Sequence, residues 1–165
     1  MTKMSRPLVL QAAPALIALF IGTAVYLLDR RPETVYFMAD WMGGGNRASP
    51  FFGTLGGYLP AFIHVYAFIL LTVLVAAPSR AHALAICLFW LVLDSAFEFA
   101  QIGVIARAIA DHVPGWFAGI PFLDNTSHYF LMGTFDVLDL YAIAAGSFAA
   151  YLTIVISTRG NYEND

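Results

Sequence analysis

Residues 55–105 read LGGYLPAFIHVYAFILLTVLVAAPSRAHALAICLFWLVLDSAFEFAQIGVI. Two apolar blocks, Leu55 to Ala77 and Ala83 to Ile105, flank the polar turn Pro78-Ser79-Arg80. A helix needs about 20 apolar residues to cross a hydrocarbon core, and each block has them. Lipid offers the backbone no hydrogen bonds, so such blocks cross as helices. The turn between them is so short that the two helices must form an antiparallel hairpin.

Working outward, Leu8 to Leu28 is a further apolar block, with Lys3 and Arg6 before it and Asp29-Arg30-Arg31 after it. A signal peptide has an apolar core of only about 7–15 residues and ends at a small-x-small cleavage site. This block is longer and ends in Tyr26-Leu27-Leu28-Asp29, which predicts a retained helix, with Pro14 a kink point near its start. A last block spans Val137 to Ile156, and a polar tail runs from Ser157 to Asp165. The expected fold is all-α: a single multi-pass domain over residues 1–165, an integral membrane bundle of four transmembrane helices.

Composition agrees. The chain is 60% hydrophobic and 12% charged, with a mean hydropathy of +0.74, whereas a soluble domain is about 25% charged. The net charge of −3 is spread thinly, and no basic stripe offers nucleic acid a footprint. The single cysteine, Cys87, excludes an intramolecular disulfide and a Cys-based zinc cluster. It reads as a small buried hydrophobe.

The two long connections differ in character. Residues 29–52 are polar and aromatic around Gly43-Gly44-Gly45-Asn46, which lacks the Lys-Ser/Thr of a phosphate loop. Residues 107–134 carry Trp116, Phe117, Phe122, Tyr129 and Phe130, a composition suited to the headgroup level as a re-entrant loop or an interfacial helix. Ala142, Gly146 and Ala150 recur every four residues, which either admits a neighbouring helix closely or marks an ordinary alanine-rich helix. With the N-terminus inside, Lys3, Arg6, Arg80 and Arg159 fall on one side and Arg30, Arg31, Arg47 and Arg107 on the other. The positive-inside count is therefore a tie.

Polar residues inside the blocks point to a site. Asp94, Glu98 and Gln101 share one helical face by their spacings of four and three. An aspartate at a helix centre costs about 2.5–3.5 kcal/mol to insert, so this stripe should face protein or water. Asp136 and Asp139 open the last helix, where its dipole favours negative charge, and Asp136 reads equally as a cap. His64 lies in the second block and is either a site residue or bonded to a neighbouring carbonyl. Antiparallel alternation places His64, Glu98, Gln101, Asp136 and Asp139 in one half of the bilayer, with Asp94 nearer the middle. Intramembrane ionisable residues mark functional sites by default.

These residues also carry a resemblance. Glu98-x-x-Gln101, then Phe135-Asp136-x-x-Asp139 and Gly146, preceded by His64-Val65-Tyr66-Ala67-Phe68, resembles the VanZ-like family of small bacterial membrane proteins over roughly residues 58–152. That family usually has an arginine shortly before its aspartate, where Gly133 stands here, and an asparagine four residues after it, where Ile143 stands. The resemblance implies an association with glycopeptide resistance or the cell envelope, and a bacterial inner membrane location. It carries no reaction and names no cofactor.

Three readings follow. One is a membrane protein that binds a lipid-linked or glycopeptide-related ligand in a polar intramembrane pocket, with His64, Asp94, Gln101 and Asp136 as ligand contacts. A second is an enzyme with Glu98 or Asp139 as acid or base, since low dielectric favours a neutral carboxyl. Its metal-assisted variant would draw on Asp94, Glu98, Asp136, Asp139 and His64, oxygen-rich ligands suited to Mg²⁺ or Mn²⁺. No HExxH or GxSxG motif supports a specific chemistry. The third is a proton-coupled transporter working as a homo-oligomer, for which no inverted repeat is present.

Overall fold

The structure, a computed structural model, describes residues 6–29, 50–76, 79–121 and 123–159. The Gly43–Asn46 run, Pro78, Phe122, Arg30, Arg31, Arg47, Lys3 and the tail beyond residue 159 lie outside them. The described chain is helical without strands: α1 (Arg6–Asp29), α2 (Leu55–Ala76), α3 (Arg80–Ala100), α4 (Gly103–Asp111), a 3₁₀ turn (Gly115–Phe117), α5 (Thr126–Met132) and α6 (Val137–Arg159). Four of these helices, α1, α2, α3 and α6, carry apolar stretches of 20 to 22 residues, long enough to cross a membrane. At 1.5 Å per residue each stretch covers about 30 Å, the thickness of the hydrocarbon core. The chain is a multi-pass membrane protein.

Helix α2 is the spine. Its Val65, Ile69 and Leu70 are fully buried, packed with Ala15 of α1, Ala83 and Cys87 of α3, and Ile143, Ala150 and Ile154 of α6. Cys87 is a buried free thiol within this core. The small-residue stripe on α6 is a crossing point. A Cβ added at Gly146 would lie 2.5 Å from the Phe62 carbonyl oxygen and 2.6 Å from Val65 Cγ1, so the α2 backbone approaches only because residue 146 is glycine. Polar side chains tie the spans together through Gln11 to Ser157 at 2.8 Å, Ser147 to the Cys87 carbonyl at 3.2 Å, and Trp90 to Thr72 at 3.0 Å. At the far end of α1, Asp29 accepts from the Phe51 and Phe52 amides at 2.6 and 2.9 Å, which fixes how the chain enters α2.

The third block departs from its predicted bounds at both ends. Ser79 caps it, accepting from the His82 amide at 3.5 Å, so α3 begins at Arg80. It ends at Ala100 with Gln101 as C-cap, and a separate helix starts at Gly103. Apolar residues continue past the break, which is why composition alone carried the block to Ile105. The next connection is neither a bare loop nor a single helix. Helices α4 and α5, of 9 and 7 residues, are too short to span and pack on one another. Phe130 of α5 is buried and stacks on Phe97 of α3 with centroids 6.2 Å apart, while Phe135 stacks on Phe99 at 5.5 Å. Residues 103–136 thus fold back over the end of α3.

Candidate functional site

The polar stripe of α3 does face protein. Asp94 and Glu98 are 8% and 7% exposed, within a helix whose apolar residues Phe89, Val92 and Phe97 are largely exposed. Each stripe residue finds a partner from a different element. Asp94 Oδ2 lies 3.2 Å from His64 Nδ1 of α2. Glu98 Oε1 accepts from the Asp136 amide at 2.7 Å. Gln101 bonds to the Tyr129 hydroxyl of α5 and occupies the space beside Gly133, where a Cβ would overlap its amide. The histidine partner is therefore a carboxylate, not the helix carbonyl that was the alternative reading.

At the start of α6, Asp136 acts as a cap. Its Oδ1 accepts from the Leu138 amide at 2.8 Å, and its own amide is the donor to Glu98. Asp139 stands in the first turn of α6 with Oδ1 fully buried. His64 lies nine residues into α2 and Asp94 six residues before the end of α3, about 13.5 and 9 Å along their helices from those ends, so this count does not set Asp94 deeper than His64 as the sequence spacing suggested.

Tyr129 is a member of the cluster that the sequence reading placed only in an aromatic connection. Burial pushes its phenol above the usual tyrosine value of 10.0; Tyr26 of α1, Glu98 and Asp94 push the same way, and the Gln101 hydrogen bond opposes them. Those four neighbours place the Tyr129 side chain over the α3 stripe from outside the spans. Its polar tip on the residue next to the buried Phe130 was the available signal, but no spacing rule links residue 129 to residue 101.

The cluster consists of three pairings, His64 with Asp94, Glu98 with the Asp136 amide and Gln101 with Tyr129. Two shallow, open depressions, of about 470 and 440 Å³, lie elsewhere: one between α4 and α5 against Ile105, Ile109 and Phe117, the other by His82, Ile86 and Phe89. The metal-assisted variant finds no ligand set, for among the described residues no three histidine, cysteine or carboxylate side chains are grouped to hold an ion. Gly133 and Ile143, the two departures from the VanZ-like pattern, are both built into packing. The first makes room for Gln101, and the second is 3% exposed in the apolar core. No family model, curated protein or solved structure matches the chain.

Proposed function

We propose that this protein is a VanZ-like component of the bacterial cell envelope, seated in the inner membrane, whose polar intramembrane cluster binds a lipid-linked or glycopeptide-related ligand. The observation that supports the reading is that His64 meets Asp94, Glu98 meets Asp136 and Gln101 meets Tyr129, side chains and backbone supplied by α2, α3, α5 and the start of α6. Burying acidic groups among apolar helices is costly, and a bundle of this size has apolar side chains enough to pack without them. Buried polar groups linked into a network hold their geometry, which suits recognition of a polar head. The motif order of the VanZ-like pattern falls on these same residues.

The test is an envelope phenotype. A bacterial strain carrying this protein is compared with strains carrying Glu98→Gln and Glu98→Ala at matched membrane accumulation, and glycopeptide susceptibility is measured. Both variants are expected to shift susceptibility to the level of a strain lacking the protein. Full wild-type susceptibility from both variants would make Glu98 a structural passenger and end the proposal.

A further inference from the structure

Residues 103–136 meet the spans at the edge of the hydrocarbon core. Phe130 of α5 stacks on Phe97, which lies three residues inside the end of the crossing stretch Ala81–Ala100, about 4.5 Å along the helix. The other side of the cap is held as closely. The Gln101 amide donates to the Glu98 carbonyl and the Ile102 amide to the Phe99 carbonyl, both at 3.1 Å, and this turn leads straight into α4. Val104 therefore stands four residues past the stretch, and α4 packs in turn on α5. Both short helices lie at the headgroup level.

At that level α4 divides its surface in three. Successive residues turn by about 100°. Ala106 is buried and Ile109 and Ala110 are half-buried, so this side faces the protein. Arg107 and Asp111 are exposed on a second side. Val104, Ile105 and Ala108 are exposed on the third, with Val104 72% open. Phe117 shares a shallow depression with Ile105 and Ala108, and Trp116, 65% exposed, meets Phe117 edge-on at 4.5 Å. An apolar strip thus runs from α4 to the 3₁₀ turn with charge along its flank. A helix of this build lies in the interface plane with its apolar side in the headgroup–acyl boundary.

The strip starts four residues from the exposed apolar wall of α3, formed by Phe89, Val92 and Phe97. Lipid that covers this wall continues onto the strip. Charge does not hold the cap there, for residues 103–136 contain Arg107 and no lysine against Asp111, Asp124 and Asp136. Anionic head groups attract clusters of lysine and arginine, which this segment lacks. Removing apolar surface from water is the remaining driving force.

We infer that the cap is a lipid-inserted surface: Val104, Ile105, Ala108 and Trp116 sit in the headgroup–acyl boundary of the leaflet the spans already occupy, by apolar insertion and not by charge. This attachment is independent of any ligand in the polar cluster.

Spin labels read it directly. Val104→Cys, Trp116→Cys, Arg107→Cys and, as a hydrocarbon reference, Val92→Cys are labelled one at a time in the full chain and placed in nanodiscs of phosphatidylcholine. All four positions are exposed, so the labels leave the packing intact. Cys87 is buried, and the parent chain treated alike supplies the background. Collisions with oxygen, which concentrates in hydrocarbon, are compared with collisions with a water-soluble nickel complex. The oxygen-to-nickel ratio is expected to be severalfold higher at Val104 and Trp116 than at Arg107, and to stay so with added phosphatidylglycerol or raised salt. A ratio at Val104 and Trp116 no higher than at Arg107 puts the strip in water and overturns the inference. Protection from both reagents means that protein, such as a second copy, covers the strip, and overturns it too. A high ratio found only with phosphatidylglycerol at low salt overturns insertion by apolar contact.

Discussion

Glu98 joins two jobs in one carboxylate. Its Oε1 takes the Asp136 amide at 2.7 Å and so pins the start of α6 to α3. Glu98→Ala strands that part-buried amide, a loss of about 1–3 kcal/mol, whereas Glu98→Gln keeps a carbonyl acceptor and should cost less; unfolding in mild detergent measures both. Gly133 makes a second residue-scale prediction. Its φ of −67° and ψ of 151° suit any residue, so only the Gln101 amide stands in the way of a side chain. Gly133→Ala should destabilise by about 1–3 kcal/mol through overpacking, and adding Gln101→Ala should recover most of that loss, which a double-mutant cycle reads directly. The spacing of Asp94, Glu98 and Gln101 made their shared inward face legible in the sequence. Their partners were not legible, because His64 to Asp94 and Gln101 to Tyr129 are contacts between elements, and no periodicity within one helix encodes them.

Among the elements, α1, α2, α3 and α6 were legible because membrane length is a count of apolar residues, and their bounds differ from expectation by only a few positions except at the end of α3. That break falls at Gln101-Ile102-Gly103, a polar cap followed by a glycine inside an otherwise apolar run, and hydropathy smooths over such a feature. The small-residue stripe on α6 was visible as a spacing, yet only the structure shows that Gly146 meets the α2 backbone. Gly146→Val should therefore loosen the α2–α6 crossing and lower stability by about 1–3 kcal/mol or more. Gly57→Ala, whose added methyl meets nothing within 4 Å, should be neutral or slightly stabilising by comparison. Thermal unfolding of the two variants side by side checks the pair.

The whole molecule joins a bundle of four spans to a cap, residues 103–136, at the polar end of α3. Four spans place residues 40 and 160 on opposite sides of the membrane, so topology reporters fused there should give opposite signals. Matching signals would remove one span. Under the proposed function, the polar cluster beside this cap holds a lipid-borne head. The most direct measurement is mass spectrometry of the lipid that stays with the full chain through purification in mild detergent, wild type beside Glu98→Gln. A distinct lipid species retained in near-stoichiometric amount by the wild type, and depleted from a Glu98→Gln protein of equal thermal stability, is the predicted result. The same bulk membrane lipids, in the same proportions, on both proteins would contradict it.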